Sequence, residues 1–242
     1  MRGQNPGAAG FKASLLAALN PMLAAEFIPK LTYFDSRGSG EVIRLILEET
    51  GTFYNERRIS SEEWPAFKTN FTISQLPVLE EGDIFLNNPN EICRYLARKL
   101  DLLGNSSEEY LRCDIAHEIL VAAQTRLFEF YLDPGFFDKR AEFEAGELLN
   151  TLSQLEAFLA SNESASGYWV GNNLTYIDIL AWSYLDSVRP LKTVALERFK
   201  LLSQFKQSIQ SRPNIDSYLH SNRRPATLML PLSVFGGTPE TS

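Results

Sequence analysis

A chain of 242 residues with 44% hydrophobic and 12% aromatic residues carries enough apolar material for one large globular domain or two modest ones. Its formal charge of −7 is spread without acidic blocks, and no basic patch interleaved with aromatics occurs, which sets aside a nucleic-acid surface. No apolar run reaches the roughly 20 residues that span a bilayer, and neither Cys93 and Cys113 nor His117 and His220 show disulfide-framework or metal-ligand spacing, so no metal is expected.

Residues 1–29 stand apart as an N-terminal extension. Arg2 and Lys12 precede the first acidic residue, Glu26, and residues 11–27 are rich in Ala and Leu with Pro21 as an interruption. The plainer reading is a terminal contact segment on a cytoplasmic protein; the alternative is a leader directing the chain to the mitochondrion or another organelle.

Alternating strand and helix signals follow. Residues 30–34 predict a short strand, and residues 41–50 predict a helix on Val42, Ile43, Leu45, Ile46 and Leu47, ended by Gly51. Residues 53–59 predict a second strand, residues 64–68 a short helical turn, and residues 78–80 and 84–86 a hairpin around Glu81, Gly82 and Asp83. Asn88, Pro89 and Glu91 spell a helix start: a good N-cap, a residue suited to the first helical position, and a Glu three residues past the cap. A helix start beside a strand edge is a natural anion site, but Pro89 removes one of its N–H groups. With a helix over residues 92–99, the order βαβαββα predicts a compact sheet with helices on its faces, spanning residues 30–104.

From Ser107 the strand signals largely disappear. Residues 107–131, 138–161, 175–188 and 191–210 read as helices, so residues 105–227 predict an all-α domain. Thr175 and Asp178, with Leu174 before and Ile179 after, form a capping box with a hydrophobic staple. Pro213, Pro225 and Pro231 read as a tail leaving the last helix, with residues 228–242 outside the core. The two cysteines, inside helices, read as buried reduced thiols.

Several motifs in order, KLTYFDSRG (30–38), Trp64-Pro65-x-x-Lys68, QLPVLE (75–80), ICRYLARKL (92–100), GNNLTYIDI (171–179) and RRPAT (223–227), resemble the cytosolic glutathione transferases. The likeness is nearest to the sigma type, which includes prostaglandin D synthases and transferases of parasitic worms. It runs from about Lys30 to Thr227. It implies a thioredoxin-like α/β first domain, an all-α second domain, a homodimer, and glutathione as co-substrate with a small apolar electrophile. It also implies a cis peptide between Leu76 and Pro77, turning the Leu76 backbone outward as a sheet edge for glutathione.

Tyr33 matches the family's activating tyrosine. A free thiol titrates near about 8.5, so only a few per cent of glutathione would be thiolate at neutral pH; lowering that value by about two units takes roughly 2.7 kcal/mol. Read without the resemblance, Tyr33 is a strand-end aromatic packed in the core. Trp64 and Lys68 match contacts to the glycyl end of the tripeptide, and read alone they are a partly buried tryptophan and a solvated lysine. Gln75, Leu76 and Asn88 complete the glutathione-binding set; Pro77, Pro89, Thr175 and Asp178 are structural.

The chain departs from the family at three places. Where the γ-glutamyl site presents Gln-Ser, Asn88 and Pro89 stand, and proline offers neither hydroxyl nor N–H. Where sigma-type enzymes carry an arginine six residues after the tyrosine stands Ser39, with Arg37 nearby. The acidic residue that reaches the neighbouring subunit's ligand falls at Val121 and Ala122. Two functions follow as expectations: a transferase or isomerase using Tyr33, or a weak or inactive transferase fold serving as a binding subunit of a larger assembly.

Overall fold

The computed structural model describes residues 27–70, 75–191 and 194–229. Strand β1 (Lys30–Phe34) buries Leu31, Thr32 and Tyr33 in succession, the pattern of a strand covered on both faces. Strand β2 (Asn55–Ile59) runs parallel on one side of it, and β3 (Val78–Glu81) runs antiparallel on the other, continued by β4 (Ile84–Leu86). The sheet order is β2-β1-β3-β4. A parallel pair needs a crossover, and helix α1 (Glu41–Glu49) supplies it, burying the five apolar residues of its predicted face. The short turn α2 (Trp64–Phe67) and helix α3 (Pro89–Lys99) complete a thioredoxin-like unit.

The second half is helical: α4 (Ser107–Leu132), α5 (Phe136–Phe143), α6 (Leu149–Ala160), α7 (Tyr176–Ser187), α8 (Val194–Glu197), α9 (Lys200–Gln210) and α10 (Pro213–Leu219). Every residue of α7 is buried, so it is the central post around which the others pack. Among the described residues no helix is long and apolar enough to cross a membrane.

Four boundaries differ from the sequence-based expectation. The strand expected from residue 53 begins at Asn55, whose N–H donates to Pro29 O at 2.9 Å; Phe53, before that first rung, is 72% exposed. The helix expected from residue 138 starts at Phe136, after a turn in which Asp133 accepts from the Gly135 N–H at 2.7 Å, and it widens into a π turn over Glu144–Leu148. The helix expected over residues 191–210 is interrupted, because Phe199 adopts a non-helical φ of −106° and ψ of 87°. Pro213 begins α10 instead of leading into a tail: at the first helical position its missing N–H costs nothing and its φ is already helical. The expectations for residues 1–26 and for Pro231 lie outside the described residues.

The capping box is present. Asp178, fully buried, accepts from the Thr175 N–H (2.7 Å), the Thr175 hydroxyl (2.9 Å) and the Trp169 N–H (2.8 Å). Burial pushes its carboxyl up to about 6 against the pull of those donors.

His117 on α4 is 1% exposed, neither ring nitrogen has a hydrogen-bond partner among the described residues, and its ring lies 5.7 Å from that of Tyr176. Burial, helped by the Arg94 charge and opposed by Glu118 and Asp114, pushes its pKa down to about 4 from an ordinary 6.5. The folded value lies below the unfolded one, so this stability is fully present above about pH 6.5 and is lost as pH falls toward 4. Asp178 acts with the opposite sign but is common to a His117→Leu variant. Thermal unfolding of the two proteins should therefore diverge across this range, with the wild type losing more; parallel curves would remove His117 from the account.

Candidate active site

After β1 the chain passes through a 3₁₀ turn, Gly38–Gly40, into α1. The Tyr33 side chain lies on this turn. Its hydroxyl oxygen accepts from the Ser39 N–H at 3.2 Å and is also 3.2 Å from Ser39 Oγ. A Cβ on Gly38, whose φ is +42°, would sit 2.4 Å from that hydroxyl, and a Cβ on Gly40 would sit 2.5 Å from the ring. Only glycine lets the backbone come this close. The Arg44 guanidinium stands 5.7 Å from the ring centroid. With one lone pair taken by the Ser39 N–H, the phenol retains its own proton as a donor.

Ser39 also lines a cleft of about 310 Å³ between the two halves of the chain. Val42 contributes from α1, Pro89 and Cys93 from α3, Val121 and Phe128 from α4, and Leu180 from α7. The wall is mainly apolar, a surface for an apolar molecule beside the Tyr33 hydroxyl. The Cys93 thiol is not a nucleophile here, since burial pushes its pKa up to about 12.

The start of α3 faces the same cleft and is closed to anions. Asn88 Oδ1 accepts from the Asn90 N–H at 2.9 Å and from the Glu91 N–H at 3.3 Å, the Ile92 N–H donates to Asn88 O at 3.0 Å, and Pro89 has none to offer. The groups that make a helix start an anion site are here consumed by its own cap.

Of the remaining residues of the expected site, Leu76, Pro77 and Trp64 lie toward Tyr33. The Leu76–Pro77 peptide is cis. The pairing of Thr32 with Val78 puts Pro77 and Leu76 next in register, alongside Tyr33 and Phe34 at the end of β1. Trp64 is half-buried with its ring 5.9 Å edge-on from Phe34, itself 5.7 Å from Tyr33, so an aromatic run links them. Lys68 and Gln75 are exposed. Thr175 and Asp178 are not part of the cleft; they cap the helix that carries Leu180.

A buried ionic cluster beneath the turn was not legible in the sequence. Glu41 accepts from Arg224 Nε (2.7 Å), the Tyr218 hydroxyl (3.1 Å) and Arg44 Nη1 (3.4 Å). Arg44, fully buried, also donates to Glu56 (2.6 Å) and to Ser36 O (2.9 Å). The one local hint was Glu41 and Arg44 three apart in a helix whose other residues up to Leu47 are apolar.

The chain also matches known proteins. A family model described as the N-terminal domain of glutathione S-transferase covers residues 29–98, and one described as the C-terminal domain covers residues 128–222. Glutathione S-transferase B of Cavia porcellus is 34% identical over 203 residues, which is 80% of this chain and 91% of the relative. Glutathione S-transferase Mu 1 of Bos taurus is 30% identical over 217 residues, 85% of this chain and 97% of the relative. The solved Pi-class glutathione S-transferase of Onchocerca volvulus matches with a TM-score of 0.75 at 28% identity, over 79% of this chain and 91% of that one. On these grounds the chain belongs to the glutathione S-transferase family.

Proposed function

We propose that this protein is a glutathione transferase of the sigma type, in which the Tyr33 hydroxyl donates to the glutathione sulfur and holds it as thiolate. The observation that carries the reading is the Tyr33 hydroxyl supported by the Ser39 N–H at 3.2 Å beside an apolar cleft. In this reading glutathione lies along the Leu76 edge with its glycyl end toward Trp64, Lys68 and Gln75. An apolar electrophile occupies the cleft wall formed by Val121, Phe128 and Leu180, and the thiolate attacks it there. The relatives named above carry other class labels; the sigma assignment rests on the order of motifs around Tyr33.

The closed start of α3 shapes the kinetics. A hydrogen bond to a charged group contributes about 1.5–3 kcal/mol, and the γ-glutamyl carboxylate loses both a hydroxyl and an N–H at Pro89, so binding should be weaker by roughly two or more orders of magnitude. The reading keeps residues 30–104 and 105–227 as the two units, and a homodimer, supported by the outward apolar pair Leu111 and Ile115 on α4. It also keeps a cytoplasmic location. The test is glutathione-dependent conjugation of an activated aryl halide by the purified protein, with turnover expected and a glutathione KM in the millimolar range. Absence of turnover, together with absence of millimolar binding, would leave a transferase fold used as a binding subunit.

A further inference from the structure

We propose that residues 224–228 position Tyr33 for thiol activation, with Arg224 as the positioning residue that anchors them. The proposal rests on the transferase reading and concerns how its central hydroxyl is held. Three successive amides leave β1. The Arg37 N–H donates to Thr227 O at 2.8 Å, the Gly38 N–H donates to Leu228 O at 2.8 Å, and the next, Ser39 N–H, donates to the Tyr33 hydroxyl at 3.2 Å. Arg37 Nε adds a bond to Pro225 O at 2.9 Å. The turn is also closed by the Glu41 N–H, which donates to Arg37 O at 2.9 Å and to Gly38 O, so with the first two amides held from the C-terminal side the third has little freedom to swing.

The turn has no slack against the ring. A Cβ on Gly38 or Gly40 would fall 2.4 or 2.5 Å from Tyr33 atoms, so the bare backbone already touches the phenol and a displaced turn must move it.

Arg224 fixes the strap at its start. Its Nε donates to Glu41 at 2.7 Å and its Nη2 to Asp186 at 2.5 Å, and all three side chains are at most 10% exposed. Glu41 is the first residue of α1, immediately after the turn, and Asp186 lies near the end of α7, whose Leu180 lines the cleft. One guanidinium therefore ties the Tyr33 turn to the helix behind the electrophile. Arg37 Nη1 lies 3.6 Å from the same Asp186, so both anchors of the strap converge on one carboxylate. Buried ion pairs add little net stability over apolar contacts, but their directional bonds specify one geometry, which is what a positioning device requires.

The test uses full-length Arg224→Gln, Arg224→Lys and Tyr33→Phe proteins. Each is read by the pH profile of kcat/KM and by the ultraviolet absorbance of bound glutathione thiolate. Arg224→Gln should move the acidic limb up by about one unit and lower kcat about tenfold at pH below that limb, the two being the same displacement of the thiol equilibrium. KM for the electrophile should stay within about twofold, and Arg224→Lys should recover part of the loss because it keeps the charge without the fork. A folded Arg224→Gln protein with the wild-type limb, beside an impaired Tyr33→Phe, overturns the proposal while leaving the transferase reading intact. An unimpaired Tyr33→Phe overturns that reading and the proposal with it. Should Arg224→Gln fail to fold, Asp186→Asn, which removes one of the two anchoring carboxylates, is read by the same outcomes.

Discussion

Tyr33→Phe should lower conjugation roughly 10- to 30-fold at pH 7. A two-unit displacement of the glutathione thiol back to its free value near about 8.5, about 2.7 kcal/mol, lowers the thiolate fraction about 25-fold at pH 7 and approaches about 100-fold only well below about pH 6.5. The signature is in the pH dependence more than in the rate. A phenol that stabilises the thiolate matters most where the free thiol would be protonated, so the defect should shrink as pH rises through about 8.5 and the variant's substrate ionises unaided. The substitution also leaves the Ser39 N–H without its acceptor, since the Tyr33 oxygen is the partner at 3.2 Å. A fully buried donor left unmatched costs about 1–3 kcal/mol and this part-buried one costs less, so thermal unfolding should be recorded beside the kinetics. A fully folded variant with wild-type turnover at every pH would remove Tyr33 from the chemistry.

Pro89→Ser should strengthen glutathione binding by roughly 10- to 100-fold. The serine restores an N–H at the first position of α3 and adds a hydroxyl, and one new bond to a carboxylate is worth about 1.5–3 kcal/mol. Asn88 need not move, because its Oδ1 serves the Asn90 and Glu91 amides, one and two residues beyond the substituted position. Calorimetric titration of glutathione into the two proteins decides the matter. Equal affinities would mean that the ligand's carboxylate does not use this helix start. Stability should fall slightly, by about 0.4–1 kcal/mol, as the unfolded chain regains the freedom that proline denied it.

Features that depend on neighbours within a few residues were readable in advance. The Asn88 cap, the Thr175–Asp178 box, the hairpin at Gly82 and the burial of the α1 apolar face each follow from spacings of two to four residues. The structure bears each of them out. Where a local signal has two meanings, it misled. Pro213 ends one helix and begins the next with the same ring, and residues 191–210 kept a helical apolar pattern through the break at Phe199. The Cα pairing of Thr32 with Val78, which brings Pro77 beside Tyr33, was not anticipated, because strand pairing is not written in either strand alone.

By itself the amino-acid order determined the two-part architecture, the tyrosine at the end of the first strand and the proline that closes the start of α3. Each of these is a property of one residue and its near neighbours. Only the tertiary structure decided what holds the tyrosine in place. Arg224 reaches Glu41 across 183 positions, and the amides of Arg37 and Gly38 are met by carbonyls at Thr227 and Leu228. The physical reason is that a buried charge must find its partner wherever folding places one, and a backbone amide accepts a carbonyl from any residue type. Neither requirement leaves a mark at the partner's position that spacing or composition could reveal.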